Sequence, residues 1–136
     1  MSEFLYEVLD LDFFCVDNAG NMAHFASAGG RLPNYIIQNR SLNDEVRNYI
    51  LSLPAKGVKS GSGADSFKSF AEKGLFSYDK RDVRDSLDSE YRLMYTPIQP
   101  INYQNLPTKF AAYLKHFRLS EIFGKETIDI GALLLS

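Results

Sequence analysis

The sequence predicts an α+β fold in which an antiparallel sheet, opened by a β-hairpin, packs against about three helices. The observations behind this fold class are an apolar–turn–apolar segment near the start, a later aromatic segment rich in β-forming residues, and apolar residues at helical spacing elsewhere. The chain has 136 residues, with 10 Phe and 8 Tyr but no Trp, so its core should be rich in phenyl rings. A chain of this length removes about two-thirds of its unfolded surface from water on folding, so we expect residues 1–136 to form a single globular domain.

The opening hairpin is the clearest local pattern. Residues 11–16 are apolar on both alternating faces, which is typical of a strand covered on both sides. Residues 17–21 read Asp-Asn-Ala-Gly-Asn, where Asp and Asn side chains bond to nearby backbone groups and Gly20 can take a positive φ. Residues 22–27 form a second mostly apolar segment, so a hairpin is predicted.

Helices and a loop are predicted in the middle of the chain. Residues 41–44 can begin a helix whose apolar side chains recur on one face and which Pro54 ends. Residues 55–64 combine glycine and serine, which disfavour regular structure, so a mobile surface loop is expected there. A short helix should follow from Asp65 and end at Gly74 in a left-handed cap, before a short extended piece over residues 75–78.

The last third of the chain predicts another strand and another helix. Residues 91–96 are rich in β-forming residues and are followed by Pro97, which indicates a second long strand. A helix should begin at Pro107, because aromatic and apolar residues recur after it at three- and four-residue steps. Residues 128–130 fit either a final strand or the start of a helical turn, and both alternatives stay open.

Charge and cysteine content argue against several classes of function. The formal net charge is −2 and the pI about 5.6, which gives no general attraction to nucleic acid or anionic lipid. The apolar stretch 128–135 is interrupted by Asp129 and is far shorter than the roughly 20 residues of a membrane span, so no membrane partner is expected. Cys15 is the only cysteine, which favours a reducing, cytoplasmic location. The first residues are acidic where a secretion signal carries Lys or Arg, so no such signal is expected.

No residues form an evident catalytic or metal-binding pattern, so the chain is expected to be no enzyme and to use no cofactor or metal. His24 lies between apolar residues of the second hairpin strand, where a hydrogen-bonded structural histidine is the favoured interpretation. Cys15 is expected to be a buried small hydrophobe rather than a nucleophile. His116 lies beside Lys115 and Arg118 and is expected to be solvated.

The densest acidic cluster is the best candidate for a recognition surface. Its candidate partner-binding residues are Asp79, Asp82, Asp85, Asp88 and Glu90. This stretch should form an exposed helical turn or loop, with Val83 and Leu87 as its anchors. Because Lys80, Arg81 and Arg84 are interleaved, a mutually screened, solvated surface is one interpretation, and a surface that steers a protein partner is the other.

The hairpin sequence also carries a family resemblance. Residues 13–29 match the pattern aromatic-aromatic-x-Val-Asp-x-x-Gly-x-x-x-x-Phe-x-Ser/Thr-x-Gly. Further anchors are spread over most of the chain, at residues 73–79, Tyr91, Thr96-Pro97, Pro100 and Leu106-Pro107. On these residues the chain resembles a group of small bacterial proteins that is similar to the immunity proteins of polymorphic toxin systems. The resemblance implies a single α+β domain that binds and neutralises a cognate toxin, and it carries over no catalytic residue.

The leading hypothesis is a non-catalytic protein-binding domain whose partner is another protein, a bacterial toxin domain. The alternative is a small-ligand-binding or enzymatic domain with a pocket near His24, lined by tyrosines and covered by the glycine-rich loop. A structural or regulatory subunit that works as an oligomer is a third hypothesis. A deep polar pocket around His24 would favour the alternative, and enclosure of His24 in the core would argue against it.

Overall fold

The structure, a computed structural model, describes residues 11–82, 85 and 88–134. In this part of the chain one six-stranded sheet has the order β1-β2-β4-β5-β3, and β6 also pairs with β5. Its strands are β1 (Asp12–Val16), β2 (Met22–Ala26), β3 (Val58–Gly61), β4 (Phe76–Lys80), β5 (Glu90–Pro97) and β6 (Thr127–Asp129). Because β6 pairs with the first half of β5 and β3 with its second half, they share one edge of that strand.

The α+β class and the opening hairpin are confirmed, but the prediction of an antiparallel sheet is wrong because the sheet is mixed. β1 and β2 pair antiparallel across the predicted turn. β2 and β4 are parallel, with His24 opposite Ser77 and Phe25 opposite Tyr78. The long connection over residues 27–75 lets the chain return before β4 begins, as parallel pairing requires. Apolar alternation looks the same in either direction, so the sequence pattern did not distinguish them.

The helices are α1 (Asn34–Gln38), α2 (Arg40–Leu51), α3 (Asp65–Ala71), α4 (Thr108–Leu114) and α5 (Gly131–Leu134), with single 3-10 turns at Tyr103–Asn105 and Lys115–Phe117. α2, α3 and α4 are the helices that the sequence predicts, and α1 and α5 are short additional ones. α5 follows β6 closely, so the segment left open as strand or helical turn is a strand that leads into a helical turn. Among the described residues, no helix combines the length and apolar composition of a membrane span.

The segment predicted as a mobile loop over residues 55–64 contains β3, so that prediction is wrong in part. Ser60 and Gly61 lie opposite Thr96 and Tyr95 of β5. Gly61 has a φ of 142°, and a Cβ there would lie 2.4 Å from the carbonyl oxygen of Met94. Glycine therefore permits the close approach of β3 to β5, whereas its lack of a side chain removes the apolar pattern that predicts strands.

Aromatic rings fill much of the core, as the composition predicts. Phe25 stacks on Phe13 and on Tyr78 at centroid distances of 5.4 and 5.2 Å. The ring of Tyr91 meets Phe13 and Phe25 edge-on at 6.1 and 5.1 Å. These rings come from four neighbouring strands, so their packing ties the sheet together across its width.

Asp17 fixes the hairpin turn to a distant part of the chain. Its side chain is fully buried, and Oδ1 accepts hydrogen bonds from the backbone N–H groups of Ala19 and Asn21, both at 2.9 Å. Oδ2 accepts a third hydrogen bond, from the Phe123 N–H at 2.9 Å. This contact holds the Phe123 ring over the core, where it lies 6.1 Å from the ring of Tyr78.

We predict that Asp17→Ala lowers the free energy of unfolding by about 3 kcal/mol, because three backbone N–H groups lose a charged acceptor. Urea unfolding followed by circular dichroism measures this loss. The matched control is Asp65→Ala in the exposed first turn of α3, which should cost less than about 1 kcal/mol. Equal losses in the two variants would contradict the anchoring role of Asp17.

Candidate functional site

His24 lies at the centre of a buried chain of polar side chains. Its ring is 1% exposed, and Phe70 of α3 stacks on it at a centroid distance of 3.9 Å. Nδ1 lies 2.8 Å from Ser77 Oγ, and Nε2 lies 2.7 Å from Asp12 Oδ1. Both ring nitrogens therefore have partners, as expected for a hydrogen-bonded structural histidine.

Asp12 extends this chain towards the surface. Its Oδ2 accepts a hydrogen bond of 2.8 Å from Nε of Arg47 on α2. The Asp12 side chain is 26% exposed and that of Arg47 is 41% exposed. The chain Ser77–His24–Asp12–Arg47 therefore runs from the fully buried Ser77 to the half-exposed side chain of Arg47.

Burial favours a neutral His24. Removing the imidazole from water lowers the pKa of His24, and this outweighs the opposite effect of its hydrogen bond to Asp12. Burial acts to raise the pKa of Asp12, but its hydrogen bonds to His24 and Arg47 and the charge of Arg47 outweigh this and keep that pKa below its usual value. A carboxylate only accepts, so Nε2–H donates to Asp12, and Ser77 Oγ–H donates to Nδ1.

The order serine, histidine, carboxylate is also that of an acyl-transfer triad. Here Ser77 is fully buried in β4, and the His24 ring lies beneath Phe70. A nucleophilic hydroxyl must reach the electrophilic atom of a substrate, which this position does not permit. In the conformation described, these hydrogen bonds join strands to one another and serve the packing of the sheet.

An open cleft of about 450 Å³ lies beside Asp12. Its lining residues are Leu11, Asp12, Asp44, Arg47 and Asn48. The three from α2 share one side of the helix because they are spaced three and four residues apart. His24 does not line this cleft, which lies at the surface end of the polar chain. Sequence reasoning did not single out Arg47, which carries no motif.

The predicted partner-binding residues lie at the ends of β4 and β5 and between these strands. Asp79 is half-buried in β4, opposite Ala26 of β2 and Arg92 of β5. Asp82 is half-buried and Asp85 is exposed. The proposed anchors of a helical turn, Val83 and Leu87, lie outside the described residues.

Arg81 brings Asp88 and Glu90 together. Its Nη2 donates to Asp88 Oδ1 at 3.0 Å, and its Nη1 donates to Glu90 Oε2. The Arg81 side chain is about half exposed, whereas the Asp88 side chain is 9% exposed. Part of the predicted charge screening therefore takes place within the cluster itself.

Lys80 anchors the same segment from inside. Its side chain is 2% exposed, and Nζ donates to the carbonyl oxygens of Asp85 and Asp88, both at 2.6 Å. The aliphatic part passes over Gly30, where a Cβ would lie 2.7 Å from Lys80 Cε. Because a buried ammonium needs acceptors, these bonds tie the backbone at Asp85 and at Asp88 to β4. The sequence interpretation of Lys80 as a screening surface cation is therefore wrong.

Asp129 of β6 lies beside Glu90, one of the predicted partner-binding residues. It lies opposite Glu90, and its Oδ1 accepts hydrogen bonds from Ser89 Oγ at 2.6 Å and from the Gly131 N–H at 2.7 Å. These hydrogen bonds, first that of Ser89 and then that of Gly131, lower the pKa of Asp129. Sequence reasoning missed this residue because it lies 40 positions from Ser89 and only strand pairing brings them together.

Cys15 and His116 have local structural contacts. Cys15 is fully buried, and burial raises the pKa of its thiol, which disfavours a nucleophilic role. His116 is exposed as expected, but its ring stacks on Tyr35 at 3.9 Å and its Nδ1 lies 3.1 Å from the Tyr113 carbonyl oxygen. Both residues therefore take part in packing.

Neither the described residues nor comparisons with known proteins indicate a metal site or a reaction. Within residues 11–82, 85 and 88–134, no three His, Cys, Asp or Glu side chains are placed to hold a metal ion. Comparisons with protein-family models, curated proteins and solved structures found no match. The contacts within the chain are thus the basis for assigning roles to its side chains.

We predict that acidification destabilises the fold through His24. Below the ordinary histidine pKa of about 6.5, the unfolded chain takes up a proton that the native state, with its lower His24 pKa, does not. The free energy of unfolding should therefore fall by at most about 1.4 kcal/mol per pH unit until the native pKa is reached, with no such loss above pH ~6.5. Urea unfolding between about pH 7.5 and pH 5 measures it.

The variant that isolates this effect is His24→Gln, whose stability should fall less over the same pH range. The matched control is His116→Gln, which changes an exposed ring and should keep the pH dependence of the unaltered protein. If the unaltered protein and His24→Gln lose stability in parallel, the assignment to His24 is wrong.

Proposed function

We propose that this chain is a non-catalytic protein-binding domain that neutralises a cognate bacterial toxin, as immunity proteins do. The observation that supports this most is the charged group around Arg81, which the sheet and the buried Lys80 hold in place. The resemblance of residues 13–29 to small bacterial proteins similar to immunity proteins supports the same class of function.

The charged group has more carboxylates than outward-facing cations among the described residues. The carboxylates belong to Asp82, Asp85, Asp88, Glu90 and Asp129. Arg81 is paired among them, and the Lys80 ammonium is enclosed by carbonyl oxygens. Arg92 of β5 is a further exposed cation, and the carboxylates still outnumber the exposed cations in the part of the chain that the structure describes. A local excess of negative charge attracts and orients a partner with a basic surface. The proposed partner is therefore a toxin domain whose contact surface carries Lys or Arg.

Anchoring of this surface also favours binding. Lys80 holds two backbone carbonyls of the segment, and Arg81 bridges Asp88 to Glu90 at the start of β5. Side chains and loops that are already ordered lose less entropy when a partner binds. The Asp88 and Glu90 carboxylates held in this way can meet a folded partner without first being ordered by it.

The alternative, a ligand-binding or enzymatic domain with a pocket near His24, has less support. The His24 ring is enclosed by Phe70, and its nitrogens are occupied by Ser77 and Asp12. The observation in its favour is the cleft beside Asp12, which is open to solvent and lined by charged side chains. A small ligand would therefore contact Asp12 and Arg47 rather than His24.

We predict that the protein forms a complex with a toxin domain encoded beside its gene and protects cells that express that toxin. Pull-down after co-expression and a growth assay measure these two properties. The double variant Asp82→Lys/Asp85→Lys should slow association about tenfold and weaken its dependence on salt, because the steering charge is reversed.

The matched control for charge reversal is Asp65→Lys, which changes an exposed carboxylate on α3. It should leave the association rate within about twofold of that of the unaltered protein. Absence of any complex and of protection would rule out the proposed function. If Asp82→Lys/Asp85→Lys and Asp65→Lys weaken the complex equally, the contact surface does not lie around Arg81.

A further inference from the structure

We propose that the cleft beside Asp12 is a carboxylate-binding site in which the terminal nitrogens of Arg47 hold the ligand. Arg47 lines the cleft and is 41% exposed, so its guanidinium is within reach of a ligand in solution. The proposal goes beyond toxin binding and does not depend on it, because none of the residues that line the cleft is among the carboxylates around Arg81.

The hydrogen bonding of Arg47 leaves one edge of its guanidinium available. Nε donates to Asp12 Oδ2 at 2.8 Å. The two terminal nitrogens make no hydrogen bond to any residue of the described chain. Their parallel N–H groups match the spacing of two carboxylate oxygens, which is the arrangement of bidentate arginine–carboxylate pairs.

The Ser77–His24–Asp12 chain orients that edge. One Asp12 oxygen is held by Nε2 of His24, whose other nitrogen is held by the buried Ser77 hydroxyl. The Asp12 backbone carbonyl in turn accepts a hydrogen bond of 2.8 Å from the Asn43 side chain on α2. Arginine side chains at a surface normally lose much rotamer freedom on binding. Here Arg47 is already paired with an anchored carboxylate, so less ordering is needed when a ligand binds.

The other lining residues define the class of ligand. Asp44 adds a negative charge, which repels phosphate dianions and polyanions more than it repels a single carboxylate. It can also accept from an N–H group or ammonium beside that carboxylate, as Asn48 can through its amide oxygen. Leu11 offers an apolar contact. The chemistry that fits is a monoanionic carboxylate with a neighbouring donor, as in an amino acid, a peptide terminus or an acidic side chain.

The experiment is an NMR titration of the full chain labelled with ¹⁵N, which follows the Arg47 Nε–H and the backbone amides of Leu11 and Asn48. Sodium acetate, sodium phosphate and sodium chloride are compared at equal ionic strength. Acetate should shift these signals with saturation at a Kd on the order of 10 mM, as its few atoms allow. Phosphate should bind more weakly, and chloride should cause no saturable shift.

Two peptides distinguish the sources of the carboxylate. N-acetyl-triglycine carries it at the chain terminus, and N-acetyl-Gly-Glu-Gly-amide carries it on a side chain. Tighter binding of the first assigns the cleft to peptide termini, and tighter binding of the second assigns it to acidic side chains. If neither peptide binds more tightly than acetate, the ligand is a small free carboxylate.

The variants locate binding on Arg47. Arg47→Gln should abolish the saturable shift, and Arg47→Lys should weaken acetate binding about tenfold because lysine lacks the planar fork. Asp44→Asn keeps the Arg47–Asp12 pair and should tighten phosphate binding several-fold, so it tests the site even if an Arg47 variant fails to fold. The matched control Arg31→Gln changes another exposed arginine and should change nothing.

Three outcomes would overturn the proposal. One is the absence of saturation by acetate and by both peptides. Another is saturation that persists in folded Arg47→Gln. The third is Asp44→Asn with unchanged phosphate affinity, because the carboxylate of Asp44 would then not face the ligand.

Discussion

β2 and β4 lie side by side and parallel, with His24 opposite Ser77 and Phe25 opposite Tyr78. This register serves both faces of the sheet, since it joins polar groups on one and stacks rings on the other. A slip by one residue would place Tyr78 or Phe76 on the face of His24 and leave the imidazole without its hydroxyl partner. The aromatic core and the polar chain to Arg47 thus depend on the same strand pairing.

Basic side chains are used in opposite ways at the two charged regions. Lys80 is buried, and its ammonium binds the backbone carbonyl oxygens of Asp85 and Asp88. Arg47 is held by Asp12 through Nε, and its side chain is 41% exposed. A flexible ammonium can gather carbonyl oxygens from several directions, whereas a guanidinium presents a planar fork that suits a carboxylate. The difference explains why the acidic segment is a candidate for contact with a basic protein surface and the cleft is a candidate for an anion.

The features that were predicted correctly from the sequence depend on residues close together in the chain, whereas the missed features depend on residues far apart. The hairpin was predicted correctly because Asp17 and Gly20 act within the turn itself, and the long helix α2 was predicted because its spacing is local. β3 was missed because its pairing depends on Gly61. The need for glycine there becomes visible only when β3 is placed beside Met94 and Tyr95 of β5. Burial of His24 was expected from its apolar neighbours, but its partners Asp12 and Ser77 lie 12 and 53 residues away.

The sequence by itself determined the α+β class, the hairpin, the main helices and an aromatic core, because period, turn chemistry and composition act over a few neighbouring residues. Only the tertiary structure decided the parallel direction of β4, the inward path of Lys80 and the approach of Asp129 to Glu90. It also decided that Asp12 and Arg47 border one cleft, which His24 does not line. These features arise from contacts between residues distant in the chain, and such contacts form only when strands and helices pack together.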